Sequence, residues 1–394
     1  MNRARAAITG IGAITGFGAG ADRLWSALLE GRRAVAEQPE LTAAGLKVGP
    51  VALVPSLPFD APSRAAQLAL SAAREALADA GDPPRGARLG VTCGTTLGGI
   101  GGWLRAVNAL AAGAALQGEG YQPPRRFSYA GPAQALAEEI GARGPVEVPS
   151  VACASGNAAL GGALDLIRAG TCDVVLAGGV DALNDFVIAG FGCLKAVDLE
   201  PCRPFDRTRR GLNLGEGAAF LVIESEAHAR ARGARIRAFL DGYGISADAV
   251  HMTGPDREGR GAARAMSAAL ADAQRSARDV DYVSAHGTAT VFNDLMESKA
   301  LATVLGERAA TTPVNSIKSA LGHTLGAAGA LEALLCVRTL ETGLVTPTPG
   351  LRELDPEIHL DVVRDQPRAL AVHAALSTSS GFGGTNAAVL FTRA

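Results

Sequence analysis

The chain is predicted to adopt an α/β fold, with parallel or mixed sheets covered by helices. Short runs rich in β-branched and apolar residues alternate with long Ala/Leu helical stretches. That alternation restarts after a charged segment at 224–235, which suggests a structural duplication. Glycine contributes 49 of 394 residues, as close helix packing and tight strand-to-helix turns require.

In the first half, 6–11, 89–93, 146–149, 173–177 and 218–224 read as strands, and 63–80, 132–140 and 156–169 as helices. The second half reads strand 236–244, helix 261–273, strand 280–284, helix 294–305, strand 314–316 and helix 327–342. Strands at 374–379 and 386–391 close the pattern around a Gly-Phe-Gly-Gly-Thr turn. The Ala-rich stretch 109–116 reads as helix rather than linker. The expected division is 1–232 and 233–394, two halves with little direct sequence similarity.

Apolar residues make up 48% of the chain and aromatics only 4%, so Ala, Val, Leu and Gly must fill the core. With 37 basic and 39 acidic residues, no global field attracts nucleic acid or an anionic membrane. No run of about eighteen apolar residues occurs, so membrane insertion is not expected. The N-terminus lacks the apolar core of a signal peptide. Six scattered cysteines form no CxxC pair, which points to neither a disulfide framework nor a zinc site. A reduced, cytoplasmic protein is the expectation, with no metal.

Three residues carry the chemistry. Cys153 falls on a strand-to-helix turn among Ala152, Ala154 and Gly156. There a helix N-terminus favours thiolate over thiol and small neighbours leave room for a substrate. The other cysteines, 93, 172, 193, 202 and 336, read as small core residues. His286 follows an apolar strand in His-Gly-Thr-Ala-Thr, at the strand end where α/β sheets bind ligands. His323 sits in Gly-His-Thr-Leu-Gly ahead of a small-residue helix. Either histidine alone is as readily structural; the pair in matched loops with a cysteine is a set for acyl chemistry. Lys318 and Glu332 bracket His323 and are expected to form an ion pair that orients its loop, although two solvated charges would look the same in sequence. The 381–386 loop could offer backbone N–H groups to an oxyanion, or be an ordinary hairpin turn. No GxxxxGK[ST] is present, and GxG at residues 10–12 is a weak nucleotide signal.

These motifs resemble those of the β-ketoacyl-acyl carrier protein synthases, in particular the synthase II-like branch with the type II polyketide ketosynthases. The likeness runs nearly end to end: Ile8-Thr-Gly-Ile-Gly, Arg203-Pro-Phe-Asp, Gly215-Glu-Gly-Ala, His286-Gly-Thr, Ser316-x-Lys-Ser-x-x-Gly-His, and Phe382-Gly-Gly-Thr-Asn. The resemblance implies a thiolase-type fold, two duplicated βαβαβαββ halves in a five-layered αβαβα core, normally dimeric. It implies an acyltransferase in which Cys153 holds the acyl chain and the N–H groups of Cys153 and Phe382 form the oxyanion hole. His286 and His323 would stabilise the enolate left when a malonyl group loses CO2. Phe382 would also gate the acyl pocket, and Thr253, Thr288 and Thr290 would line the pantetheine channel.

No organic cofactor is implied beyond the phosphopantetheine of a separate acyl carrier protein. That acidic partner would dock on Arg125, Arg126, Lys195 and Arg64, with a basic cluster of the family replaced here by 57–62. The assembly would be a homodimer, or a heterodimer with a paralogous chain-length-factor-like subunit. Val291 in place of a proline, Trp103, and Asn157-Ala-Ala-Leu on the nucleophile helix suggest a specialised polyketide enzyme rather than a housekeeping fatty acid enzyme. A non-catalytic scaffold subunit is disfavoured by the retained Cys153, both histidines and Lys318. A thiolase would need a second cysteine near the C-terminus, and a synthase III-type enzyme an asparagine at the place of His323.

Overall fold

In a computed structural model, the structure describes residues 4–43, 45–46, 48–61, 63–83, 86, 88–113 and 128–394. The first half supplies strands β1 (Ala6–Thr15), β2 (Leu89–Gly94), β3 (Val146–Glu147), β4 (Val174–Asp181) and β5 (Gly217–Ser225). The second supplies β6 (Ala238–Ala247), β7 (Tyr282–Ser284), β8 (Pro313–Asn315), β9 (Ala374–Gly381) and β10 (Thr385–Arg393). The helices that position the site are α1 (Ala21–Leu29), α2 (Arg64–Asp79), α3 (Ile100–Ala111), α4 (Gly131–Ile140), α5 (Ser155–Arg168), α6 (Asp185–Cys193), α7 (Arg260–Asp272), α8 (Val291–Leu305) and α9 (Ala328–Thr342).

Both halves wind the same way. The first has strand order β1-β5-β4-β2-β3, antiparallel at its first two pairings and parallel at the next two. The second repeats that pattern as β6-β10-β9-β7-β8. The halves join where Ala6–Ile8 of β1 pairs antiparallel with 238–240 of β6. The expected boundary at 232 falls in the connection between β5 and β6.

Strand residues alternate between faces with period two. On β5, Ala219, Leu221 and Ile223 point to the central core, while Ala218, Phe220 and Val222 point outward. The central core holds Leu160 and Leu164 of α5 and Leu331, Leu334 and Leu335 of α9, so these two helices lie between the first and second sheet, the two halves of one continuous sheet. A second core packs α2 and α4 on the outer face of the first sheet. A third packs α7 and α8 on the outer face of the second. The result is five layers, αβαβα. Each fully buried leucine contributes roughly 2 kcal/mol, and α5 and α9 are thereby held rigidly with their N-terminal ends facing one site.

Helices α1 and α6 have no counterpart in the sequence reading. The glycine-containing run of α6 hides its start, which is capped by the Asn184 side chain accepting from Val187 N at 3.2 Å. Cys193, expected in the core, is exposed at the end of α6, whereas cysteines 93, 172, 202 and 336 are buried. Helix α3 ends at Ala111, and 114–116 of the expected helix lie outside the described residues. Among the described residues, no helix is long and apolar enough to cross a membrane, and no cluster of His, Cys, Asp or Glu could hold a metal ion.

Candidate active site

Cys153 sits on the turn entering α5, as its small neighbours suggest. Ala152 adopts a left-handed φ of 52°, an unfavourable conformation for a residue with a Cβ. Ser155 holds that turn: its hydroxyl accepts from Val151 N at 2.9 Å and donates to Ala152 O at 2.6 Å. Gly381 packs from the other side, where an added Cβ would stand 2.9 Å from Val151 O and 3.2 Å from Cys153 N. The glycine lets the 381–384 loop come against the nucleophile turn.

Cys153, His286, His323, Lys318 and Glu332 are all buried and converge. His323 Nε2 lies 3.0 Å from Cys153 Sγ. The two imidazoles meet edge to face, with ring centroids 5.4 Å apart. Lys318 Nζ contacts His286 Nδ1 at 3.2 Å, donates to His286 O at 2.5 Å, and pairs with Glu332. The expected ion pair therefore forms, but it orients His286 rather than the His323 loop, because Lys318 reaches across to the strand end of β7.

The partners assign the tautomers. An ammonium can only donate, so His286 Nδ1 is an acceptor and Nε2 carries the proton. His323 Nδ1 accepts from Leu325 N at 3.3 Å, which places its proton on Nε2 as well. Burial drives both imidazoles well below the usual histidine pKa; Lys318 adds to this at both, and His323 adds to it at His286. Each ring is thus a neutral Nε2–H donor.

The Cys153 thiol corrects the sequence expectation. Burial pushes its pKa up to about 12, against the opposing pull of Lys318 and of the Phe382 and Cys153 backbone N–H groups. Desolvation outweighs the helix terminus, so the resting form is the thiol. The same two N–H groups are the oxyanion pair implied by the family resemblance, and both face the sulfur.

Carboxylates overlooked in the sequence hold this arrangement. Glu297 on α8 accepts from His286 N at 2.7 Å and Gly287 N at 2.8 Å, and from Thr378 Oγ1 at 2.7 Å. Asp294 accepts from Ala289 N at 3.1 Å and Phe205 N at 2.7 Å, tying the Arg-Pro-Phe-Asp loop to the histidine loop. Asp181 accepts from Thr96 N, Leu97 N and Gly326 N at 2.8, 3.0 and 2.7 Å. The signal for Glu297 and Asp294 was two acids three residues apart, on one face of a helix that directly follows the His286 loop.

At the rim, Phe382 is partly exposed and stacks on Phe191 of α6, with centroids 5.4 Å apart. Gly383 N donates to Met252 O at 2.7 Å, which brings the turn carrying Thr253 against the Phe382 loop. Thr288 and Thr290 share a hydroxyl hydrogen bond of 2.9 Å in the His286 loop. Lys195 is exposed just past the end of α6, near Phe191. Arg64, expected at the docking surface, is partly exposed and ion-paired: its Nη2 donates to Glu216 at 2.8 Å and to Val54 O at 2.5 Å. Arg125 and Arg126 lie outside the described residues.

Known proteins share this chain's sequence pattern and fold. Residues 58–229 match the model for the beta-ketoacyl synthase N-terminal domain, and 237–352 that for the C-terminal domain. The chain is 39% identical to nodulation protein E of Rhizobium meliloti (strain 1021), covering 98% of each. It is 39% identical to the tetracenomycin polyketide synthase ketoacyl synthase alpha subunit of Streptomyces glaucescens, over 99% of this chain and 97% of that one. Among solved structures, a beta-ketoacyl synthase from Burkholderia phymatum STM815 superposes with TM-score 0.91 at 35% identity, covering 99% and 100% of the two chains. The ishigamide ketosynthase/chain length factor gives TM-score 0.91 at 35% identity with complete coverage of both. A type II polyketide ketosynthase bound to a hexaketide, in complex with its acyl carrier protein, gives 0.92 at 32% identity, again with complete coverage. With both domain models matched and relatives at 39% identity over nearly the whole length, the chain belongs to the beta-ketoacyl synthase family.

Proposed function

We propose that this chain is a β-ketoacyl-acyl carrier protein synthase that extends an acyl chain by decarboxylative Claisen condensation in type II polyketide or fatty acid biosynthesis. The observation that carries this reading is the contact of His323 Nε2 with Cys153 Sγ, with a second neutral imidazole edge-on beside it.

In the first half-reaction Cys153 Sγ attacks the thioester carbonyl of an acyl-carrier. The carbonyl oxygen, now negative, lies against the N–H groups of Cys153 and Phe382. Collapse breaks the carbon–sulfur bond to pantetheine, whose sulfur leaves as a thiol with the proton that Cys153 gives up. The Nε2–H of His323 stabilises the sulfur while it is charged. In the second half-reaction a malonyl-carrier enters and its terminal carbon–carbon bond breaks, releasing CO2. The enolate oxygen takes hydrogen bonds from the Nε2–H groups of His286 and His323, which are too weakly acidic to quench it. Its carbon attacks the Cys153 thioester, the carbon–sulfur bond breaks, and the thiolate recovers a proton from solvent.

The reaction so written draws on no organic cofactor of its own; both acyl groups arrive on the phosphopantetheine of a carrier protein. Thr253, Thr288 and Thr290 would line the path of that arm, and Phe382 would gate the acyl pocket. An acidic carrier would meet Lys195 beside the rim. A type II polyketide role is favoured over fatty acid synthesis by the identity to the tetracenomycin alpha subunit.

A dimeric assembly is favoured by α3, where Trp103, Val107 and Leu110 form an exposed apolar stripe at helical spacing. Such a stripe suits a dimer, either with a second copy or with a chain-length-factor-like subunit. The test is incubation with a panel of acyl-carriers plus malonyl-carrier, followed by mass analysis of the carrier. A two-carbon β-keto extension is expected. Extension only after co-purification with a paralogous subunit selects the heterodimer; no extension in either setting refutes the reading.

A further inference from the structure

A second cavity, of about 400 Å3, lies away from the cysteine. It opens between the turn after α1 and the loops around 200–203 and 347–352, and is lined by Arg33, Arg203 and Arg352 together with Glu30, Glu200 and Asp365. Arg203 is more than nine-tenths buried, and its buried Nε has no hydrogen-bond partner among the described residues. Its nearest acid is Glu200, at 3.7 Å, which also serves Arg210 at 3.5 Å. As a lining residue, Arg203 would offer its remaining N–H donors to a ligand oxygen in the cavity.

Charge matching narrows the ligand. Glu30 is paired with Arg32 at 2.8 Å and Asp365 with Arg364 at 3.6 Å. Among the described residues, neither Arg33 nor Arg352 has a carboxylate within ion-pair distance. Arg33 donates only to Pro349 O, at 2.8 Å, and its guanidinium fills the space where a Cβ on Gly350 would stand, at 1.4 Å. Two uncompensated guanidiniums and a third with free donors suit a dianion with several acceptor oxygens. A single carboxylate would leave one charge unmet.

We propose that this cavity is a binding site for a phosphate dianion, either inorganic phosphate or the phosphate of a small organic monoester. The cavity backs the catalytic segment. Ala34 N donates to Ala320 O at 2.7 Å, Cys202 Sγ lies 3.8 Å from Lys318 O, and Thr348 Oγ1 accepts from Ser316 N at 3.1 Å. An anion there would clamp three chain segments that support Lys318.

The test is isothermal titration calorimetry of the full chain with inorganic phosphate, glycerol phosphate and acetate, at ionic strength held constant with potassium chloride. Phosphate or glycerol phosphate should bind at one per chain with a dissociation constant of about 1 mM or tighter. The tighter of the two identifies free anion or monoester as the source. Arg33→Gln and Arg352→Gln should each weaken binding on the order of tenfold, and the double variant should lose it while remaining folded. Absence of binding by both phosphates, tighter binding of acetate, or unchanged binding by a folded double variant would overturn the proposal.

Discussion

Lys318 Nζ stands 3.2 Å from Nδ1 of His286 and pairs with Glu332 behind it, so one buried ammonium sets which nitrogen of that ring carries its proton. The ammonium forbids a proton on Nδ1, leaving Nε2–H as the donor. Replacing Lys318 by Met should therefore do two separable things. It leaves Glu332 buried without its cation, which costs about 3–5 kcal/mol, and it frees the His286 tautomer. Adding Glu332→Gln should recover much of the stability in urea denaturation without restoring malonyl decarboxylation. Recovery of both would make the pair purely structural.

The two histidines are expected to separate by half-reaction. His323 touches Cys153 Sγ and His286 does not. His286→Ala should leave acyl loading of Cys153 close to wild type, yet slow malonyl-carrier decarboxylation on the order of 10²–10³-fold, the usual cost of one oxyanion donor. His323→Ala should slow both. Single-turnover loading and CO2 release measure the two steps independently.

The Cys153 thiol, pushed up to about 12 by burial, should resist alkylation at neutral pH. Its iodoacetamide rate should keep rising about tenfold per pH unit beyond pH 9, where a free thiol of pKa about 8.5 has levelled off. Peptide mapping distinguishes it from exposed Cys193. A plateau near pH 8 would mean that the helix terminus prevails after all.

Stability should depend on pH through the buried imidazoles. His286 and His323 are held neutral in the folded state, with pKa values well below the unfolded value of about 6.5. Between those values the unfolded chain binds more protons, so stability is fully present above about pH 6.5 and is lost as pH falls below it. The urea midpoint of wild type should drop between pH 7 and pH 5 by more than that of a His286→Gln, His323→Gln double variant. Equal drops would place the titration elsewhere.

Gly381 offers a geometric test. An added Cβ would press on Val151 O and Cys153 N, displacing one donor of the oxyanion pair. Gly381→Ala should lower the rate of Cys153 loading more than it changes the affinity for acyl-carrier, as read from kcat against KM.

The reactive trio was legible in the sequence because each member stands in a small-residue loop at a strand or helix end, and local pattern shows such places. The repeated strand order was legible only as a restart of the alternation, since matching topology needs no matching residues. What escaped depends on burial and long-range contact. Glu297 and Asp294 looked like ordinary helix acids until the fold enclosed them beneath the His286 loop. The thiolate expectation failed because a helix N-terminus is visible in sequence and desolvation is not. The pairing of Arg64 with Glu216 escaped because the two lie 152 residues apart.

In the proposed reaction Cys153 carries the growing chain. Intact-mass analysis after incubation with acyl-carrier measures this most directly. Wild type should gain one acyl group per chain, mapped to the Cys153 peptide, and folded Cys153→Ala should gain none. An acylated Cys153→Ala variant would contradict the account.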